Sequence, residues 1–232
     1  MLSKSHEDLV CVYTPRRRAL RPLLTAWTGV VSRYCTIERH KDNPWWFNER
    51  ATLSTLAGAA WSLPGWAALE EFSTRKRGGI VPKDHTDDGS RVGRCDLYVT
   101  TGQREVSYAI EAKQAWQSIG PRCNGYRHVH DMMRLAWTDA GELHIEDAAH
   151  RLAITFVVPF ITKSNPPELH RAMVEQWLAT TGFTVGGRGL TAYAHVFPKK
   201  IQYFKNDMSK RTFPGVVMLV EERFKANRRL SE

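Results

Sequence analysis

Gly93-Arg94-Cys95-Asp96-Leu97-Tyr98-Val99 and Tyr108-Ala109-Ile110-Glu111-Ala112-Lys113-Gln114 are the two runs on which the fold turns. They predict strands at 95–100 and 105–114, joined by the turn Thr101-Gly102-Gln103-Arg104. So tight a connection makes the strands antiparallel neighbours. Side chains alternate along a strand. Asp96 and Tyr98 then face one side, with Cys95, Leu97 and Val99 on the other. Glu111 and Lys113 share a face, opposite Ile110 and Ala112. Three ionisable groups thus converge on an otherwise apolar strand pair.

Outward from this hairpin the apolar periodicity switches between helix and strand. Residues 1–17 read as an irregular lead-in. Leu20, Leu23, Leu24, Trp27, Val31, Tyr34 and Ile37 recur at helical spacing over 18–38, with Pro22 suited to the first turn. A second helix is expected from Trp45 or Trp46 to Trp61, ended by Pro64-Gly65. Residues 66–73 suit a helix or a strand, and the strand is preferred for topological reasons. Residues 76–93 read as a long loop or ragged hairpin. A helix is expected over 125–140. The dense run 152–158 predicts a central strand covered on both faces, with Pro159 ending its ladder. A helix over 167–180 and strands at 191–197 and 216–220 complete an α/β or α+β domain around a mixed sheet.

The chain has 232 residues, enough for one core. It carries 33 Lys+Arg against 24 Asp+Glu, a formal charge of +9, which favours a polyanionic partner. No stretch has the apolar length of a membrane span, and the first residues lack the apolar core of a secretory signal. The expectation is a cytoplasmic protein with no membrane partner, in a bacterial, archaeal or phage-encoded setting. Cys11, Cys35, Cys95 and Cys123 show no CxxC spacing, so they read as ordinary thiols rather than a zinc site.

Two carboxylates a few ångströms apart repel unless a cation lies between them. Oxygen-only ligation by Asp96 and Glu111, with the Ala112 carbonyl as a further ligand, suits Mg²⁺ or Mn²⁺ rather than zinc. Lys113 is placed to orient or deprotonate a water, or to steady charge on a phosphorane. Glu49 precedes Leu53, Leu56 and Ala60 on one helix face, where an idle glutamate is costly. It is the candidate third acid, as ligand or water-positioner; Glu38, Glu70 and Glu71 are its rivals. Arg91, Arg94, Arg122 and Arg127 flank the hairpin as candidate phosphate contacts. Trp45-Trp46 are candidates for base stacking or for core packing.

Asp96, a hairpin and then Glu111-Ala112-Lys113 resembles the PD-(D/E)xK nuclease superfamily, whose members include restriction enzymes, Mrr-like enzymes and archaeal-type Holliday-junction resolvases. The resemblance covers roughly residues 45–160. It extends to Gln114, which matches a glutamine that trails the lysine in many members. It extends also to Glu49 at the head of an apolar helix, followed by Gly65-Trp66 and a strand. Cys95 stands where the family name has proline. The resemblance implies a restriction-endonuclease-like core, a mixed central sheet flanked by helices in the order αβββαβ. It implies Asp96 and Glu111 as metal ligands and Lys113 as the catalytic lysine, with Glu49 and Gln114 completing the site. Residues 1–232 are then a single nuclease-like domain. Residues 1–44 are a helical extension, 45–160 the catalytic core, and 161–232 a helix and strands completing the sheet. The implied activity is a Mg²⁺-dependent DNA endonuclease serving junction resolution, restriction or phage defence, or repair, and a homodimer if both strands are cut. The alternatives are a nucleic-acid-binding or scaffold protein on the same fold, or a nuclease subunit of a larger transposition or defence complex.

Overall fold

A computed structural model of the chain describes residues 7–77, 90–102, 106–120, 125–144, 146, 148–162, 164–182, 190–200 and 204–223, with backbone alone at 75, 77 and 90–92. Its first helix, α1 (Arg21–Ile37), carries Pro22 in the opening turn, where the missing donor has no helical partner to lose. α1 buries Leu23, Leu24, Trp27, Val31 and Cys35. The second, α2 (Glu49–Trp61), starts later than its apolar pattern suggests. Asn48 caps it by accepting from the Ala51 N–H at 2.9 Å, while Asn43 Oδ1 accepts from the Trp46 N–H at 3.0 Å and holds the preceding turn. Trp45 is fully buried and donates from Nε1 to the Phe213 carbonyl, so it has no face left for a base.

The sheet runs in the order β1-β6-β9-β5-β4-β3-β2, with β1 (Leu9–Tyr13), β2 (Trp66–Arg77), β3 (Ser90–Thr101), β4 (Val106–Ser118), β5 (His150–Thr162), β6 (Leu190–Phe197) and β9 (Val216–Arg223). Two short strands, β7 (Lys205–Asn206) and β8 (Arg211–Thr212), pair beside the end of β5. Among the described strands only β4 and β5 are parallel; every other neighbouring pair is antiparallel. Parallel neighbours need a crossover, and α3 (Arg127–Glu142) supplies it. The run from α2 to β5 therefore reads αβββαβ. The last helix, α4 (His170–Thr180), follows a 3₁₀ turn at Pro167–Leu169.

Strand alternation on β5 separates the two cores. Leu152, Ile154, Phe156 and Val158 pack with α1 and α2 on one face. Ala153 packs with Ala136 and Ala140 of α3, and Val157 and Ile161 with Val174, Trp177 and Leu178 of α4, on the other. The domain is a mixed α/β fold with helices on both faces of one sheet. Among the described residues no helix is long and apolar enough to cross a membrane.

Two expectations are corrected. The lead-in contains β1, paired with β6 from Leu9↔Phe197 to Tyr13↔Tyr193. β5 continues through Pro159 to Thr162, because its antiparallel partner β9 stops at Val157 and leaves that side without a ladder to break. Of the two readings of 76–93, the pairing of its described ends, Lys76↔Arg91 and Arg77↔Ser90, favours the hairpin. Cys123 lies outside the described residues.

Tyr193 Oη lies 2.6 Å from His195 Nδ1 in the buried face of β6, and burial lowers the His195 pKa from 6.5 to about 4. The unfolded chain then binds a proton that the folded chain refuses. Stability is complete above pH 6.5 and falls as pH drops towards 4, by about 3 kcal/mol over that window. Urea midpoints at pH 7.5 and 4.5 should differ accordingly, and the difference should shrink in His195→Gln.

Candidate active site

The site forms where two neighbouring strands separate. β3 pairs with β4 only from Leu97↔Ile110 to Thr101↔Val106, although β4 continues to Ser118. Beyond that point β3 stays with β2 as a two-stranded ribbon. Glu71 sits at φ 53° where the β2–β3 ladder skips a pair, between Glu70↔Leu97 and Phe72↔Cys95. This is the left-handed region, which non-glycine residues avoid without a local reason. The ribbon then turns over the α3 face, where the Lys76 backbone bridges to Leu143 just after α3.

The separation exposes β4 N–H groups that need partners. Side chains supply the first two. Cys95 Sγ accepts from the Ile110 N–H at 3.3 Å, and Asp96 Oδ2 accepts from the Ala112 N–H at 2.8 Å. The Glu49 carboxylate at the head of α2 lies near the Gln114 N–H, which works to lower its pKa. Asp96 and Glu49 thus lie along one strand edge because the backbone there offers donors. Cys95 packs with Tyr98, Phe72 and Ala109, so the strict alternation expected for β3 fails at Cys95-Asp96, where the strand bends.

Glu111 and Lys113 follow the expected alternation and face α3. Glu111 is 2% exposed. Its Oε1 lies 2.7 Å from Lys76 Nζ, which reaches across from the ribbon. Burial raises the Glu111 pKa to about 7, Asp96 adds to the rise, and Lys76 and Lys113 oppose it. Lys113 Nζ lies 2.7 Å from Asp139 Oδ2 of α3 and donates to the Ala112 carbonyl at 3.0 Å. Burial works to lower the Lys113 pKa, but the Asp139 hydrogen bond and the surrounding carboxylates outweigh it and raise it. Burial raises the Glu49 pKa too; Lys113 and the Gln114 N–H work against that, and Asp96 works with it.

Glu49, Asp96, Glu111 and Lys113 are therefore one electrostatically connected group. Gln114 belongs beside it rather than in it. Its amide donates to the Trp45 carbonyl at 3.2 Å and its Oε1 accepts from Thr52 Oγ1 at 3.2 Å, clamping α2 to β4. Glu38 is exposed at the end of α1. Glu70 accepts from Ser54 Oγ, and Glu71 pairs with Arg50 at 2.8 Å and Arg94 at 3.3 Å. Arg94 is exposed beside Glu71, while Arg127 is exposed at the far end of α3 from Asp139. Arg122 lies outside the described residues, and Arg91 is described by its backbone alone.

Asp139 and Lys76 went unnoticed in the sequence. Asp139 had a signal, since Ala136 and Ala140 beside it are the small residues that let α3 approach the sheet. Lys76 had none, because its reach depends on the ribbon's turn and on Gly93, whose missing Cβ leaves room for the Lys76 stem.

Among the described residues, no three His, Cys, Asp or Glu side chains gather closely enough to ligate one ion. A small hard cation does not require three. Mg²⁺ commonly takes one or two carboxylates and keeps its remaining positions for water and phosphate. Asp96, close enough to raise the Glu111 pKa, and Glu111 itself together with the Ala112 carbonyl make an oxygen-only donor set of that kind. The residues present fit Mg²⁺ or Mn²⁺ on those terms.

No family model, curated protein or solved structure matches the chain.

Proposed function

We propose that this protein is a divalent-metal-dependent endodeoxyribonuclease with a restriction-endonuclease-like core, hydrolysing phosphodiester bonds in DNA. The observation that carries the reading is the fork between β3 and β4. It brings Asp96 and Glu49 onto the exposed edge of the strand that bears Glu111 and Lys113. The order αβββαβ and the formal charge of +9 support it.

Asp96, Glu111 and the Ala112 carbonyl would hold Mg²⁺ or Mn²⁺, with Glu49 as a third acid reached directly or through water. The cation supplies Lewis-acid polarisation of the phosphodiester and a more acidic water. Lys113 is a donor held in its ammonium form by Asp139, so it orients the water and steadies charge on the phosphoryl oxygens rather than removing a proton. Glu49 is half-buried with a raised pKa, and its carboxylate is the acceptor for the water's proton. Arg94 and Arg50, both held by Glu71 beside Asp96, face solvent where flanking phosphates would lie. DNA is the partner, and two copies of the chain would be needed to cut both strands at once.

The test is a Mg²⁺ and Mn²⁺ cleavage panel over duplex, flap, four-way junction, single-stranded DNA and RNA. Cleavage of a DNA form that is lost on chelation, and reduced on the order of 10²–10³-fold in Lys113→Ala, is the expected result. Arg94→Ala should weaken DNA binding uniformly across sequences and lower the slope of log affinity against log salt by about 1. If neither cation supports cleavage of any form, the second reading takes over: a nucleic-acid-binding or scaffold protein on this fold. The lack of a three-carboxylate cluster among the described residues is what keeps that reading alive.

A further inference from the structure

The Lys76–Glu111 pair is the most enclosed ion contact at the site, with side-chain exposures of 14% and 3%. Its construction involves three separate features. The Lys76 backbone is anchored by its bridge to Leu143. Its stem passes over Gly93, where an added Cβ would lie 2.8 Å from Cγ and 2.9 Å from Cδ. Its ammonium ends 2.7 Å from one oxygen of a carboxylate that also feels the Asp96 charge. A buried carboxylate beside another carboxylate is costly without a cation. The chain here provides one of its own.

We propose that Lys76 is the built-in counter-ion of the candidate metal centre, occupying the Glu111 oxygen that a divalent cation takes over, so that metal entry is an exchange releasing the Lys76 ammonium. The inference rests on the reading of Asp96 and Glu111 as metal ligands. The ammonium and the incoming cation compete for one acceptor, so they cannot both hold it at full strength. A displaced ammonium has two outlets near the fork: solvent, or the phosphate oxygens of bound DNA. Lys76 is thus a positioning residue in the metal-free protein and becomes available as a substrate contact once the metal is in place.

The experiment uses the intact wild-type chain without DNA. Acetylation of Lys76 by an N-hydroxysuccinimide ester is followed by mass spectrometry, with and without Mn²⁺, at matched ionic strength. Mn²⁺ binding is measured in parallel by calorimetry on wild type and Asp96→Asn. The expected result is Mn²⁺ binding that Asp96→Asn abolishes, with Lys76 labelling raised several-fold by Mn²⁺ in wild type and unchanged in the variant. Binding that depends on Asp96 but leaves Lys76 labelling constant or slower overturns the exchange while the metal-centre reading stands. Absence of Asp96-dependent Mn²⁺ binding overturns both. Gly93→Val gives an independent check. By crowding the Lys76 stem it should raise Lys76 labelling in metal-free protein and make Mn²⁺ add little more; labelling that stays low in a folded Gly93→Val overturns the placement of Lys76.

Discussion

Asp96→Asn should abolish metal-dependent DNA cleavage and, in the same protein, raise the melting temperature. Asparagine keeps an oxygen that accepts the Ala112 N–H, so the strand edge stays capped. What disappears is a negative charge that helps to push the Glu111 pKa up to about 7. Removing that repulsion should stabilise the metal-free fold by about 1 kcal/mol, roughly 2–4 °C for a chain of this size. The charge is also half of the candidate metal's carboxylate pair. Cleavage should fall by at least about 10³-fold, an electrostatic loss of the size seen when one preorganised group is removed from a transition state. The measurements are a thermal melt under chelation and a time course with Mg²⁺. A purely structural Asp96 predicts the opposite pair: a lower melting temperature and unchanged cleavage. Stability gained as activity is lost is the signature of a group kept for function.

Arg17→Ala should cost about 4 kcal/mol of folding stability and leave the chemistry of the site untouched. Arg17 meets Glu222 of β9 through two parallel contacts, Nε at 2.6 Å and Nη2 at 2.7 Å. Glu222 is 5% exposed, its Oε1 also meets His150 Nδ1 at 2.8 Å, and its own N–H donates to Thr191 Oγ1 at 2.8 Å. Breaking such a pair strands a buried carboxylate, which is the costly way to lose an ion pair. The melting temperature should drop by roughly 10 °C. Glu222→Gln should cost less, since it removes the charge that would be stranded. Cleavage measured well below the lowered melting temperature should match wild type, because this network lies on the α1 face of β9, two strands from β4 and on the face opposite Glu111 and Lys113. Equal stabilities of Arg17→Ala and wild type in urea would refute it.

The second result bears on how far composition can be read as function. Arg17 counts towards the formal charge of +9 that favours a polyanionic partner, yet it is committed to a carboxylate more than two hundred positions away. Trp45-Trp46 suited base stacking or core packing, and Trp45 is interior. In both cases the residue type was visible and its partner was not, because partners come from distant strands. β1 was missed for the same reason: five residues at the edge of a sheet owe their extended form to β6, not to their own pattern.

What the sequence determined by itself is local and periodic. The spacing of apolar residues dictated α1 and the existence of α2, the antiparallel hairpin of β3 and β4, and the shared face of Glu111 and Lys113. Those follow from side chains repeating every 3.6 or 2 residues. The tertiary structure alone decided where β3 leaves β4, and that departure makes the site. Asp96 and Glu49 take their positions from backbone donors the fork exposes, Gln114 is drawn off to clamp α2, and Asp139 and Lys76 arrive from α3 and the ribbon. No period in the chain encodes that meeting, because it depends on how far a two-stranded ribbon turns after it loses its third strand.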